Sequence, residues 1–166
     1  MTATLSQPQA EELLGREALY LDRREFDAWL GLYTQGAVFW APAWRDETTP
    51  TSDPDRELSL IYYAGRHNLE DRVWRVKSGL SVASQTLPRT VHAVTNVLVE
   101  SGDADTCAVT AAWTVHQFNA VRQTQHVFFG RYDYRLLRED DTWRIAAKTV
   151  LIFNDRIPTV ADFYSV

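Results

Sequence analysis

The second half of the chain contributes most to the fold. It contains four long segments, which read TVHAVTNVLVE (90–100), TCAVTAAWTVHQFNAV (106–121), QHVFFGRYDYRLL (125–137) and TWRIAAKTVLIFND (142–155). Each is rich in β-branched and aromatic residues, which is typical of β-strands, and short turn-like sequences separate them. Four consecutive long strands joined by short turns predict an antiparallel meander.

Alternation along two of these segments predicts which side chains share a face of the sheet. Trp113, Val115 and Gln117 are expected on one face of their strand, because successive residues of a strand point to opposite sides. In the last strand, Ile145 and Ala147 are expected on one face and Lys148 on the other.

The first part of the chain favours helices. Ser6 followed by Pro8 is typical of a helix start, and the leucines and alanines after it recur at helical spacing. A short second helix is predicted over 25–32 and a third over 68–77, which we expect to end at Gly79.

Two further strands are predicted between the second and third helices. Segment 37–44 is aromatic and β-branched, with Pro42 marking an edge or a bulge, and a surface loop follows over 45–56. Segment 57–64 is a short strand or buried segment. Helices followed by a curved antiparallel sheet predict an α+β fold with the helices packed on one sheet face, in one domain over 1–166.

Composition excludes several functional classes. The chain has 166 residues, a net charge of -5 and a single cysteine, which argues against a nucleic-acid or anionic-membrane partner and against a disulfide-based fold. No membrane span or leader peptide is evident, so a cytoplasmic location is expected. Of seventeen cations only Lys77 and Lys148 are lysines, and arginine is the cation favoured in fixed contacts and at interfaces.

Residues with catalytic or metal-binding chemistry are few and scattered. His116 and His126 fall on neighbouring strands, where cross-strand contact is possible, but no acid accompanies them and a metal site there is disfavoured. Cys107 has no activating neighbour, and we expect it to be a small buried side chain. The best candidate for a general base is His92, which we expect to share a strand face with Asn96.

The third predicted helix carries two acids and two arginines around its apolar stripe. Asp71 with Arg75, or Glu70 with Arg66, is spaced for pairing at i, i+4, although a solvated helix face explains the same pattern. Among the tryptophans we expect three in the core and leave two open between core and interface. The first group is Trp29, Trp74 and Trp113, and the second is Trp40 and Trp44.

Several elements, in their order, resemble one family of proteins. They are the run EALYLDRREFDAWLGLY (17–33), FWAPAW (39–44), ELSLIY (57–62), LEDRVWR (69–75), RTVHAVTN (89–96) and VLIFNDRI (150–157). Together they are similar to the small (β) subunits of aromatic-ring-hydroxylating dioxygenases. The FWAPAW and SLIY elements resemble the benzoate, toluate and anthranilate branch in particular.

This resemblance implies an NTF2-like cone and assembly with a catalytic α subunit, commonly as an α3β3 hexamer. It implies that the Rieske [2Fe-2S] cluster and the mononuclear Fe(II) belong to the α subunit, and that this chain has no cofactor and no catalytic residue of its own. Electrons from NAD(P)H would arrive through a separate reductase, for cis-dihydroxylation of an aromatic carboxylate by O2. A single cysteine agrees with this, because a Rieske cluster needs two thiolates.

A permanent interface would use the arginine-rich composition, the aromatic segment 39–44 and the loop 45–56. Our structural or interface candidates are Trp40, Trp44, Asp71, Arg72, Arg75, Arg89, His92 and Asn96. Two alternatives remain open at this point. One is a stand-alone NTF2-like isomerase, dehydratase or cyclase that uses His92 with an acid such as Asp27, and the other is a ligand-binding module that uses the cone without chemistry.

Overall fold

A computed structural model describes residues 4–81, 86–154, 156–157 and 160–166. Within these residues the chain forms three helices and one six-stranded sheet. The helices are α1 (Gln7–Asp22), α2 (Phe26–Leu30) and α3 (Arg66–Lys77). The strands are β1 (Tyr33–Pro42), β2 (Ser59–Ala64), β3 (Arg89–Gly102), β4 (Thr106–Asn119), β5 (Thr124–Glu139) and β6 (Thr142–Ile152).

Strand order in the sheet is β2-β1-β6-β5-β4-β3. The four long strands β3 to β6 pair antiparallel in sequence order, which confirms the predicted meander. The sequence pattern did not indicate the parallel pairing of β1 with β6, which joins the N-terminal hairpin β1–β2 to the meander. The register between β1 and β2 shifts at Ala41/Pro42, as expected for a proline at the end of a strand.

Helix α1 begins where the sequence predicted it. The Gln9 side chain accepts a hydrogen bond from the Ser6 backbone N–H at 2.9 Å, which satisfies a donor that a helix start leaves without a partner. The buried stripe of the helix, which includes Ala10, Leu14 and Leu21, packs against β3. The helix α3 reaches Lys77, and Gly79 then adopts a positive φ of 71°, a conformation that favours glycine.

Two bulges change the side-chain directions that simple alternation predicts. In β3 the register shifts between Thr95 and Leu98, and Asn96 adopts a φ of 52°. An extra residue reverses the alternation beyond it, so His92 is buried while Asn96 is exposed. The prediction that they share a face is therefore wrong.

The second bulge lies where β6 pairs with β5, between the partners of Arg135 and Leu136. Ile145 and Ala146 are both buried here, which places Lys148 on the inner face with Val150. Because the phase changes at the bulge, the expectation that Ile145 and Ala147 line one face opposite Lys148 is also wrong.

Large aromatic side chains fill the interior between helices and sheet. Trp29 and Trp113 are 0% and 2% exposed, which confirms them as core residues. Trp29 also stacks on Phe163 of the C-terminal segment, with ring centroids 5.0 Å apart. Trp74, in contrast, is 61% exposed on α3, so its prediction as a core residue is wrong. The helical face that α3 buries is instead formed by Leu69, Val73 and Val76.

Candidate functional site

The inner face of the sheet carries a diagonal row of large side chains, His92, Trp113, Tyr132 and Lys148, on the four strands from β3 to β6. Each member of the row lies two positions from the residue that pairs with the previous member. His92 pairs with Val115, two positions from Trp113, and Trp113 pairs with Gly130, two positions from Tyr132. Trp113 and Tyr132 stack almost parallel, with centroids 5.0 Å apart. The Lys148 ammonium lies 4.0 Å from the centroid of the Tyr132 ring.

At one end of this row, Lys148 and Glu17 of α1 form a fully buried ion pair. Lys148 Nζ lies 2.9 Å from Glu17 Oε1, and the side chains are 1% and 2% exposed. The hydroxyls of Tyr33 and Tyr134 also donate to the Glu17 carboxylate, the latter at 2.6 Å. Burial by itself raises the pKa of Glu17, but the Lys148 charge and the two tyrosine donors outweigh it, and the pKa is lowered.

At the other end, Asp22 at the C-terminus of α1 holds His92. The His92 Nδ1 lies 2.5 Å from Asp22 Oδ1, and the same carboxylate accepts the His92 backbone N–H at 2.9 Å and the Thr90 hydroxyl at 2.9 Å. Burial favours a higher Asp22 pKa, but the hydrogen bonds from His92 and Thr90 lower it overall. Glu17 and Asp22 of α1 thus fix the helix to opposite ends of the diagonal row.

The acid suggested for the alternative enzyme is not the one beside His92. Asp27 lies on the outside of α2, where its 79% exposed side chain pairs with Lys77 at 2.8 Å. The imidazole of His92 is 2% exposed, and its Nε2 atom is fully buried. The structure therefore brings His92 together with Asp22 rather than Asp27, with the imidazole buried and the Asp22 side chain 18% exposed.

Three of the interface candidates line one cleft outside the core. It has a volume of about 430 Å³ and lies between β2, α3 and the C-terminal segment. Arg72 is held there by the carboxylate of Asp162, which is 4% exposed. Asp71 and Arg75 are exposed at the same cleft but form no ion pair with each other, whereas the other predicted pair, Arg66 with Glu70, is present at 2.8 Å.

The remaining candidates lie on or near the outer face of the sheet. Trp40 donates to the Ser59 hydroxyl at 2.8 Å, and Trp44 to the Ile152 carbonyl at 2.7 Å, so both indole N–H groups are satisfied while the rings stay partly exposed. Trp44 also contacts Phe153 edge to face at 6.1 Å. The guanidinium of Arg89 lies 5.9 Å from the Phe118 ring centroid.

Sequence reasoning missed Glu17, Asp22, Lys148 and Asp162, the residues that anchor the helices and the C-terminal segment. The sequence did contain a signal for Lys148, because a lysine within a mostly apolar strand is unusual. No comparable signal marked Asp162, whose partner Arg72 is 90 residues away.

The donor residues do not converge on a metal. His116 and His126 fall on opposite faces, because His116 pairs with Val127 and Gln117 pairs with His126. Among the described residues, no group of three His, Cys, Asp or Glu side chains is arranged to hold a metal ion. The single cysteine, Cys107, is buried, and burial raises the pKa of its thiol. The donors described here therefore do not fit a Rieske cluster.

The model of one protein family, the ring hydroxylating beta subunit, matches residues 16–159. The β subunit of benzoate 1,2-dioxygenase from Acinetobacter baylyi is 37% identical over 98% of this chain and 95% of its own length. The β subunit of toluate 1,2-dioxygenase from Pseudomonas putida is 39% identical over 98% of this chain and 99% of its own length.

A solved structure has the same fold. The crystal structure of the β subunit of benzoate 1,2-dioxygenase from Burkholderia mallei superposes with a TM-score of 0.82, at 34% identity, and covers 99% of both chains. Within the described part of this chain, no helix is long and apolar enough to cross a membrane. The α+β, NTF2-like cone expected from the sequence is confirmed. The chain belongs to the family of ring-hydroxylating dioxygenase β subunits, in the branch of the benzoate, toluate and anthranilate enzymes.

Proposed function

We propose that this chain is a non-catalytic small subunit that supports the catalytic large subunit of a dioxygenase acting on an aromatic carboxylate. The observation that carries the proposal is the similarity, over nearly the whole chain, to small subunits whose names specify benzoate and toluate. A third such relative, the small subunit of 2-halobenzoate 1,2-dioxygenase from Burkholderia cepacia, is 40% identical over 91% of this chain.

The interior of the cone supports a structural role. Trp29, Trp113 and Tyr132, each 2% exposed or less, fill the space between the helices and the inner face of the sheet, where a pocket would lie. The C-terminal residues Phe163 and Val166 are also fully buried there. His92, the best base in the sequence, reaches no solvent through its Nε2 atom. To reach that atom, a substrate would have to displace packed core side chains. Loss of the packing of one aromatic side chain of this size costs about 3–5 kcal/mol.

Under this proposal the chemistry is divided between chains. The large subunit carries the Rieske cluster and the mononuclear iron, a separate reductase supplies electrons from NAD(P)H, and the complex is an α3β3 hexamer in the cytoplasm. This chain provides a rigid support, consistent with its buried ion pairs and with arginine as its main cation.

Co-expression with the large subunit tests the proposal. We expect a complex that contains both chains in equal number and converts benzoate or a substituted benzoate to a cis-diol, while this chain alone has no turnover. Copurification is followed by native mass spectrometry, and product by chromatography. A chain that never captures the large subunit, or that turns over a substrate by itself, contradicts the proposal.

A further inference from the structure

The two edge strands of the sheet differ in whether the rest of the chain bonds to their outward backbone groups. At the β3 edge, side chains of α1 supply partners for the outward backbone groups. The Gln7 amide donates to the Val97 carbonyl at 2.5 Å and accepts the Val99 N–H at 3.2 Å, and Asp22 accepts the His92 N–H. Two register shifts in β3, between Thr95 and Leu98 and between Val99 and Ser101, also interrupt that edge. It is therefore protected against pairing with another strand.

The β2 edge lacks this protection at Tyr62. Gly65 N–H donates to the Ala37 carbonyl at 2.8 Å, so by antiparallel alternation Tyr63 points its backbone groups at β1 and Tyr62 points its own away. Ala64 shares the outward direction, and its carbonyl accepts the Asn68 amide at 2.5 Å. Among the described residues, nothing forms a hydrogen bond with the outward N–H and C=O of Tyr62.

The cleft of about 430 Å³ lies directly beside this edge. Its apolar lining includes Leu60, Tyr62 and Val160, which are 42%, 40% and 52% exposed. Arg72 is already bound by Asp162, whereas Arg75 has no ion-pair partner within the described part of the chain. The site thus offers backbone hydrogen bonds, apolar contact, the available guanidinium of Arg75 and the exposed carboxylate of Asp71.

We propose that the β2 edge and this cleft bind an extended segment of the large subunit, which adds a strand to the sheet beside Tyr62. The segment places an apolar side chain against Leu60 and Val160 and a carboxylate against Arg75. Strand addition uses main-chain bonds for affinity and side-chain pockets for specificity, and all these features are present. The inference rests on the proposed function, because it takes the large subunit as the partner.

Shape and charge favour this occupant over an edge-to-edge pair with a second copy of the chain. Two identical concave clefts do not fill one another, so an edge-to-edge pair of copies would leave both clefts empty. The open part of the edge is short, since the Asn68 amide already bonds to the Ala64 carbonyl, so an edge-to-edge pair of copies would gain few main-chain hydrogen bonds. A protruding segment with a carboxylate complements both the concave shape and Arg75.

Hydrogen exchange measured by mass spectrometry, on the chain alone and in the complex with the large subunit, tests the proposal. We expect the amides of Tyr62 and Ala64 to exchange at least about tenfold more slowly in the complex. The Tyr63 amide, which bonds to β1, serves as the internal control and changes little. A complex in which the Tyr62 and Ala64 amides exchange as in the free chain overturns this inference and leaves the proposed function intact.

A second experiment compares two matched variants. Tyr62→Lys places a charge on the open edge, and Leu98→Lys places one on the protected edge at a side chain that is 55% exposed. Tyr62→Lys is expected to weaken capture of the large subunit at least about tenfold, and Leu98→Lys to leave it unchanged. Equal effects overturn the inference. Slower exchange at Tyr62 with rising concentration of the chain alone assigns the edge to a second copy. Failure of the unmodified chain to capture the large subunit overturns both proposals.

Discussion

Lys148 of β6 and Glu17 of α1 form an ion pair at 2.9 Å with both side chains almost completely excluded from solvent. The pair fixes the first helix to the centre of the sheet, and aromatic rings surround the ammonium. Removing one member leaves an unpaired charge in the core, whereas removing both charges removes the need for pairing.

We therefore expect Lys148→Met to reduce the free energy of unfolding by about 3–5 kcal/mol. The double variant Glu17→Gln/Lys148→Met should be markedly more stable than Lys148→Met alone, because the introduced amide is neutral. Its oxygen accepts from one tyrosine hydroxyl, and its NH2 group donates to the other. Urea unfolding followed by circular dichroism measures both. A Lys148→Met variant as stable as the natural chain would show that the pair is not ionised in the core.

The free energy of unfolding should decrease at acidic pH. The pKa values of Glu17 and Asp22 are lowered in the folded chain, by the partners that outweigh their burial. A lowered folded-state pKa stabilises the fold above the unfolded pKa of roughly 4, and this contribution is lost as pH falls through the folded pKa. Unfolding free energies measured between pH 7 and pH 3 should decrease below about pH 4, and less steeply in Asp22→Asn. The same acid slope in both proteins would contradict the assignment of Asp22.

The loop before β2 should keep its structure in mild acid. Glu57 accepts the backbone N–H groups of Ser52 and Asp53 at 2.6 and 2.9 Å and also pairs with Arg45. The Ser52 bond, followed by Arg45 and Asp53, lowers the pKa of Glu57 to about 2. Titration of its side-chain carboxyl by carbon-detected NMR checks this value. A midpoint near the ordinary value of about 4.3 would mean that the carboxylate does not hold the loop.

Tryptophan substitutions should separate core from surface. Trp29→Ala removes a ring that is 0% exposed and is expected to cost about 3–5 kcal/mol. Trp74→Ala should change the unfolding free energy of the isolated chain by less than about 0.5 kcal/mol, because that ring is 61% exposed. Chemical denaturation of both variants in parallel provides the comparison. A large loss in Trp74→Ala would place that side chain in the core after all.

Much of the fold could be predicted because it depends on local patterns. The helix start at Ser6 and the meander over β3 to β6 follow from capping chemistry and from long β-prone segments. The face of Asn96 and the inward direction of Lys148 could not be read this way, because one inserted residue reverses the alternation and nothing local marks a bulge.

The candidate site was only partly predictable, for a related reason. His92 stood out as a base, but its partner Asp22 is 70 residues away, and distant pairings are set by packing of α1 on β3. Trp74 was misjudged because its spacing on α3 does not reveal that the helix is covered on one side only. Asp71, Arg72 and Arg75 were selected as one helical cluster, and all three line the cleft beside β2.

Turnover by a complex that contains His92→Asn shows whether this chain supports catalysis without performing it. It should be measured with benzoate, per assembled large subunit, so that losses of folding or assembly do not enter. We expect a turnover within about twofold of that of the unmodified complex, since the His92 imidazole and backbone N–H both bond to Asp22 of the same chain. A general base contributes about 100-fold to 10,000-fold, so a loss of at least about 100-fold in a fully assembled complex would contradict it.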